Sequence, residues 1–451
     1  MKNDVDMTTG NYKRQILLFM FPLIFSGLLQ NIYSITDIVM AGRFIGIEAV
    51  SGIGNAIVPL LFLNSLIAGF SSGILILESN IFASQKKYSI FKSVFFIFIF
   101  LSLFLLTLGI VFFVYGIKFM GLNSNVLLIT KDYFSIMTIG LPFVVGYNFI
   151  LSFIKARGNS KIPLIMTFFS TIVNIFLNYC FVLIFEFGIK GIAFSTVISQ
   201  LLVFITSSVY CYYNYYTEEK KLENYVKTSE IIKSIIELSS TSLIQNMVST
   251  MSSLYIQKII NTFGVISISS IAAGAKIEGF LTIPVAALGT SIGVYISQNY
   301  GNDNFDRMKL GFKFATKISV ILNIIVLIFV LLFGNISLKL ILKENKGALE
   351  LGFRYLLIFS LFYFPLSMLY ILSNFLRSSG KIKIPIMNVF LELVSRIFFV
   401  IVLSNYIGVN GILLSRPLSF IVSGLNLYIF ISIYFKNKKK GMYQRNEKSN
   451  E

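Results

Sequence analysis

Apolar residues run along this 451-residue chain in stretches of about 20, separated by short polar punctuation, from near the first residue to near the last. A helix rising 1.5 Å per residue needs about that many to cross a hydrocarbon core of roughly 30 Å. Twelve membrane helices are predicted, over 16–41, 50–76, 93–116, 131–154, 162–185, 191–212, 234–260, 268–297, 314–334, 353–376, 384–406 and 411–435. The implied fold class is all-α integral membrane, because in lipid each backbone polar group has to be paired within its own segment. No hydrophilic stretch is long enough for a soluble catalytic domain, and the longest internal one reads as a linker. Residues 1–14 are polar and precede a run too long for a signal-peptide core, with no small-residue cleavage site, so the first helix is expected to be retained.

Composition agrees: 56% of residues are hydrophobic and only 13% charged, against about a quarter in soluble domains. A net charge of +18 raises the question of nucleic acid, and its distribution answers it. With the N-terminus placed in the cytoplasm, 26 Lys and Arg fall on cytoplasmic segments: 1–14, 86–92, 155–161, 220–233, 307–317, 377–383 and 436–448. Only eight fall on the other side: Arg43, Lys118, Lys131, Lys190, Lys339, Lys343, Lys346 and Arg354. That asymmetry is the positive-inside pattern with both termini cytoplasmic. The basic tail is then a solvated end near anionic lipid headgroups, and no nucleic-acid partner is expected. Cys180 and Cys211 lie in apolar runs, which argues against a disulfide framework, and the absence of histidine removes His-based metal and acid–base chemistry. The chain is not expected to be an enzyme.

Shifted against itself by about 220 residues, the sequence repeats. "GFSSGILILE" from Gly69 meets "GTSIGVYISQ" from Gly289, pairing Gly73 with Gly293 and Glu78 with Gln298. "KARGNSKIP" from Lys155 meets "RSSGKIKIP" from Arg377, and "GIKGI" from Gly188 meets "GVNGI" from Gly408. Six helices return the chain to its starting side, so the halves form a parallel repeat. The predicted division is an N-terminal lobe at 1–213, a cytoplasmic linker at 214–233, a C-terminal lobe at 234–435 and a basic cytoplasmic tail at 436–451.

Those segments in that order, with "TDIVMAGRFIG" in the first helix, "NIFLN" and "GIKGIAFSTVISQ" in the first half and "AAGAKIEGFLTIPVAALGTSIGVYISQNYGNDN" in the second, resemble the multidrug and toxic compound extrusion (MATE) family. "AKIEGF" is closer to its DinF-like branch. The resemblance implies two six-helix lobes arranged as a V, exposing a central cavity alternately to each side, and cation-coupled export. It also implies a coupling site in the first lobe, whose matching positions here are Asp37, Asn174, Asn178 and Thr196. Asn178 stands where the family usually has a second aspartate, which weighs against Na⁺ and favours H⁺.

The residues themselves point to the same cluster. Counted from the helix ends, Asp37, Asn178 and Thr196 lie at depths that agree to about one helical turn, and Asn174 and Asn178 share a helix face as an i, i+4 pair. A lone carboxylate in hydrocarbon is costly unless paired, coordinated or neutralised. Asp37 is therefore read as a switched charge, with an interfacial pair to Arg43 as the plainer alternative. At the repeat offsets Asn174 and Thr196 meet Arg396 and Arg416, so a duplicate cation site is not expected. Glu392 and Arg396 are read as an i, i+4 ion pair. Glu278 is either a substrate-facing or second proton-linked carboxylate, or bridged to Lys276, Arg416 or Arg396. Gln30, Tyr33 and Gln245 join it as expected substrate-cavity residues, and Pro22 as a helix kink.

The function expected is a cation-coupled efflux antiporter for a small organic cation or amphipathic drug, with H⁺ favoured over Na⁺. It would act as a monomer in the bacterial cytoplasmic membrane, among lipids and without a cofactor beyond the coupling ion. The alternative is a flippase for a lipid-linked oligosaccharide or peptidoglycan precursor. That would need a strongly basic cavity, whereas only Lys258, Lys276, Arg396 and Arg416 are basic within the spans.

Overall fold

The computed structural model of the chain describes residues 4–84, 88–117, 124–217, 222, 226–342 and 345–449. Lys2, Lys86, Lys87, Lys118, Lys220, Lys221 and Lys343 of the charge distribution lie outside the described residues, as do the side chains of the tail beyond Lys436. The chain divides into two compact units, one of residues 1–246 with 297–304, the other of 247–296 with 305–451.

The first unit holds α1 (Tyr12–Met40), α2 (Ile47–Ala83), α3 (Phe91–Val111), α4 (Ser124–Ala156), α5 (Lys161–Tyr179), α6 (Gly188–Cys211) and the first half of α7 (Thr228–Asn261). The side chain of Asn11 caps α1 by accepting from the backbone N–H of Lys13 and Arg14. The helix then continues through Pro22 without interruption. Its departure from α geometry comes at the other end, where Ala41–Ile45 form a π turn that closes on Gly46 at φ 136°, a conformation that favours glycine. A second π turn, Cys180–Ile184, follows α5 directly. Helix α2 packs on α4, α4 on α6, α6 on α5 and α5 on α1, which places the ends of α1 and α5 against the start of α6.

The second unit holds the rest of α7, then α8 (Gly264–Leu281), α9 (Ile283–Gly301) as far as Ile296, α10 (Phe305–Leu342), α11 (Lys346–Leu361), α12 (Tyr363–Ser378), α13 (Lys383–Ile407) and α14 (Val409–Ser449). Here α13 packs on α14, α8 on α11, and α10 on both α11 and α12.

Ten helical segments among the described residues are long and apolar enough to cross a membrane, and α11 with α12, bent by 48°, makes an eleventh. The remaining expected span, 234–260, is α7, a helix of 34 residues too polar to stand out by hydropathy. Three of its hydroxyls are satisfied locally: Ser234, Ser239 and Ser240 donate to the carbonyls of Glu230, Ile235 and Glu237.

The repeat is visible in the backbone. Gly158 and Gly380 have φ of 77° and 75°, and Gly188 and Gly408 have 57° and 59°, so each matched pair makes the same left-handed turn. Glu78 and Gln298, matched by sequence, both end on the turn after α4. Glu78 bridges Arg157 at 2.8 Å, and Gln298 donates to the Ala156 carbonyl at 2.9 Å.

Candidate functional site

Asp37 lies four residues before the π turn that ends α1, and only 5% of its surface is exposed. Asn178 Nδ2 donates to its Oδ1 at 2.7 Å, and Thr196 Oγ1 donates to its Oδ2 at 3.1 Å. The i, i+4 pair on α5 is joined directly, with Asn178 Nδ2 donating also to Asn174 Oδ1 at 3.2 Å. Asn174 Nδ2 in turn donates to Thr196 Oγ1 at 3.4 Å. The four residues named from the sequence thus form one buried cluster from three helices. Among the described residues no cation bridges Asp37, and Arg43 is exposed and packs on Phe44.

A fifth member was missed. Ser195, fully buried, donates to Asn178 Oδ1 at 2.5 Å and sits 3.5 Å from Asn174 Nδ2. Its signal in the sequence was only adjacency to Thr196, and adjacent helical residues usually face different ways. Here both reach α5: Ser195 meets Asn178 and Asn174, and Thr196 meets Asn174.

Below the cluster, a cavity of about 410 Å³ opens within the first unit. Gln30 and Tyr33 line it as expected, together with Asn64, Tyr147, Asn148 and Gln200. The last four were not named from the sequence, although each is a polar group inside an apolar run. Tyr33 stands one turn before Asp37 and donates its hydroxyl to the Thr196 carbonyl at 3.4 Å, so it touches both the cavity and the carboxylate cluster. Gln245 is not part of this lining. Beside it, Asn246 ties α7 to α2 through the Ser65 carbonyl at 3.1 Å.

Glu278 lies in the second unit, in a separate cavity of about 90 Å³ that it lines with Tyr355, Arg396 and Arg416. Of its expected partners the structure selects Arg416, whose Nη1 donates to Glu278 Oε1 at 2.5 Å, while the Tyr355 hydroxyl donates to Oε2. Lys276 is exposed. The expected Glu392–Arg396 ion pair is not formed among the described residues. The i, i+4 spacing permits such a pair, but the long Arg396 side chain lies along the cavity of Glu278 and Arg416 instead.

The chain is 26% identical over 441 residues to the probable multidrug resistance protein YoeA of Bacillus subtilis, covering 94% of this chain and 95% of that protein. It is 25% identical to the probable multidrug resistance protein YpnP of the same organism, covering 94% and 96%. A crystal structure of the Vibrio cholerae MATE transporter VcmN, in a point-mutant form, matches with a TM-score of 0.86 at 14% identity over 94% of this chain and 97% of that one, a likeness of fold. The fold is therefore that of twelve transmembrane helices in two lobes. The MatE family model matches twice, over residues 22–180 and 241–402, one match in each half of the repeat, and the chain belongs to the MatE family.

Proposed function

We propose that this protein is a cation-coupled efflux antiporter of the bacterial cytoplasmic membrane that exports organic cations or amphipathic drugs by alternating access, with H⁺ as coupling ion ahead of Na⁺. The observation that carries the reading is one buried carboxylate, Asp37, whose hydrogen-bonding neighbours are all uncharged. Asn178 and Thr196 hold its charge but cannot cancel it. A buried charge without a counter-ion is expensive, and uptake of a proton or a cation is the way to relieve it. Uptake and release supply two states between which a cycle can run.

Tyr33 supplies the link to substrate. Its ring lines the 410 Å³ cavity and its hydroxyl meets the backbone of Thr196, so a ligand in the cavity and an ion on Asp37 act on the same turn of α1. A cavity walled by tyrosines and amides suits flat cationic or amphipathic molecules. The names of the two Bacillus relatives support that class. The flippase alternative asks for free basic groups, and Arg416 is tied to Glu278. No chemistry on the substrate is proposed.

The test is Asp37→Asn in proteoliposomes, with efflux of ethidium driven by an imposed pH gradient and, separately, by a sodium gradient. The variant mimics the neutral carboxyl, so membrane expression and folding are expected to survive while gradient-driven efflux falls to background. Normal expression with undiminished coupled efflux would make Asp37 a structural residue and defeat the reading.

A further inference from the structure

Arg396 is a buried charge of the opposite kind to Asp37. Among the described residues neither a hydrogen bond nor an ion pair holds its guanidinium, and its Nε is buried without a partner. Glu392, one turn before it on α13, is outside ion-pair distance and does not line the cavity that Arg396 lines. Asp37 can lose its charge by taking a proton, whereas an arginine keeps its proton. What compensates Arg396 is therefore an anion or water.

The other polar groups of that cavity are already engaged. Arg416 and the Tyr355 hydroxyl both donate to Glu278, and the Ser415 hydroxyl donates to the Ile412 carbonyl at 2.6 Å. With Glu278 matched by Arg416, the lining carries one positive charge in excess, that of Arg396. The remaining walls are apolar: Ile256, Ile260 and Ile412 pack with Val400, one turn after Arg396, and Phe359 adds a ring. A buried water needs two to four polar partners, which such walls do not offer, while an alkyl chain gains by burial against them. On the measure by which one water takes about 10–15 Å³, a cavity of about 90 Å³ admits a molecule of roughly six non-hydrogen atoms. The repeat sharpens the contrast, since Arg396 and Arg416 stand at the offsets of Asn174 and Thr196, both members of the Asp37 cluster.

We propose that the second unit carries an anion site of its own, in which the Arg396 guanidinium takes the carboxylate of a small organic acid while Ile256, Ile260 and Phe359 cover its alkyl chain. One free guanidinium suits a monoanion, where a pyrophosphate would need several. The site goes beyond the coupling role given to Asp37 and does not depend on it.

The test is equilibrium dialysis of radiolabelled butyrate against the purified full-length protein in an uncharged detergent near neutral pH. Saturable binding is expected, displaced by unlabelled butyrate but not by butyramide, which has the shape without the charge, nor by chloride, which has the charge without the chain. Arg396→Gln is expected to weaken binding at least roughly tenfold, the loss of one charge-assisted hydrogen bond. It is also expected to melt no lower than wild type in the absence of butyrate, because it removes an uncompensated charge. Arg396→Lys keeps the charge without the planar fork, and its affinity should fall between the two. A lower melting temperature for ligand-free Arg396→Gln would make Arg396 a structural counter-charge to Glu392 or Glu278 and overturn the proposal. Absence of saturable butyrate binding to the wild type would overturn it too, leaving water against the guanidinium. Displacement by phosphatidylglycerol at lower concentration than by butyrate would assign the site to a lipid headgroup and defeat the organic acid.

Discussion

Glu278 and Arg416 illustrate a buried charge handled without an exchangeable ion. The carboxylate is 7% exposed at its side chain, and it is held by the guanidinium on one oxygen and by Tyr355 on the other. Two oxygens with two fixed donors leave little need for a proton or a metal, in contrast to Asp37. Removing one partner of such a pair strands the other, and Arg416→Ala is expected to cost toward the lower end of about 3–5 kcal/mol because Arg416 itself is 38% exposed. The double substitution Glu278→Gln with Arg416→Met should recover most of that loss. Thermal unfolding in detergent measures both. A single variant as stable as wild type would mean that the pair is solvated rather than buried.

Two helices approach closely only where a side chain is missing, and the repeat makes this a controlled comparison. At Gly73 on α2 an added Cβ would lie 2.1 Å from Ser239 Oγ and 2.7 Å from the Ile235 carbonyl of α7. A hydroxyl can rotate aside, whereas a helix carbonyl cannot. Its sequence mate Gly293 on α9 meets nothing nearer than 3.4 Å, the side-chain oxygen of Asn374. Gly73→Ala is therefore expected to destabilise by about 1–3 kcal/mol, the range for overpacking, and Gly293→Ala by much less. Equal melting temperatures for the two variants would contradict the close α2–α7 contact. The sequence match identified both glycines as equivalent, and only the packing separates them.

For the whole molecule, the charge asymmetry makes a prediction that does not depend on any side-chain contact. Positive segments resist crossing the membrane, so a reporter fused after Lys92, Lys221 or Lys440 is expected in the cytoplasm, and one after Gly264 or Ile407 outside. Paired fluorescence and phosphatase fusions read the side directly. Lys221 and Gly264 on one face would remove a crossing by α7, the most polar of the twelve helices.

Helix type, the positions of the spans and the repeat were determined by the sequence alone, because in lipid backbone hydrogen bonds close within a segment and local composition decides the outcome. The matched glycines were legible for the same reason, since a left-handed turn is a property of one residue. The cluster of Asp37, Asn174, Asn178 and Thr196 was legible as candidates, because polar groups inside apolar runs are few and their depth can be counted. Which groups bond to which was decided only by the tertiary structure. Ser195 reached Asn178, Arg416 reached Glu278 across 138 positions, and Arg396 passed over its neighbour Glu392. In a low dielectric a polar side chain takes the partner with the best geometry in space, and sequence spacing carries neither the rotation of one helix against another nor the reach of a long side chain.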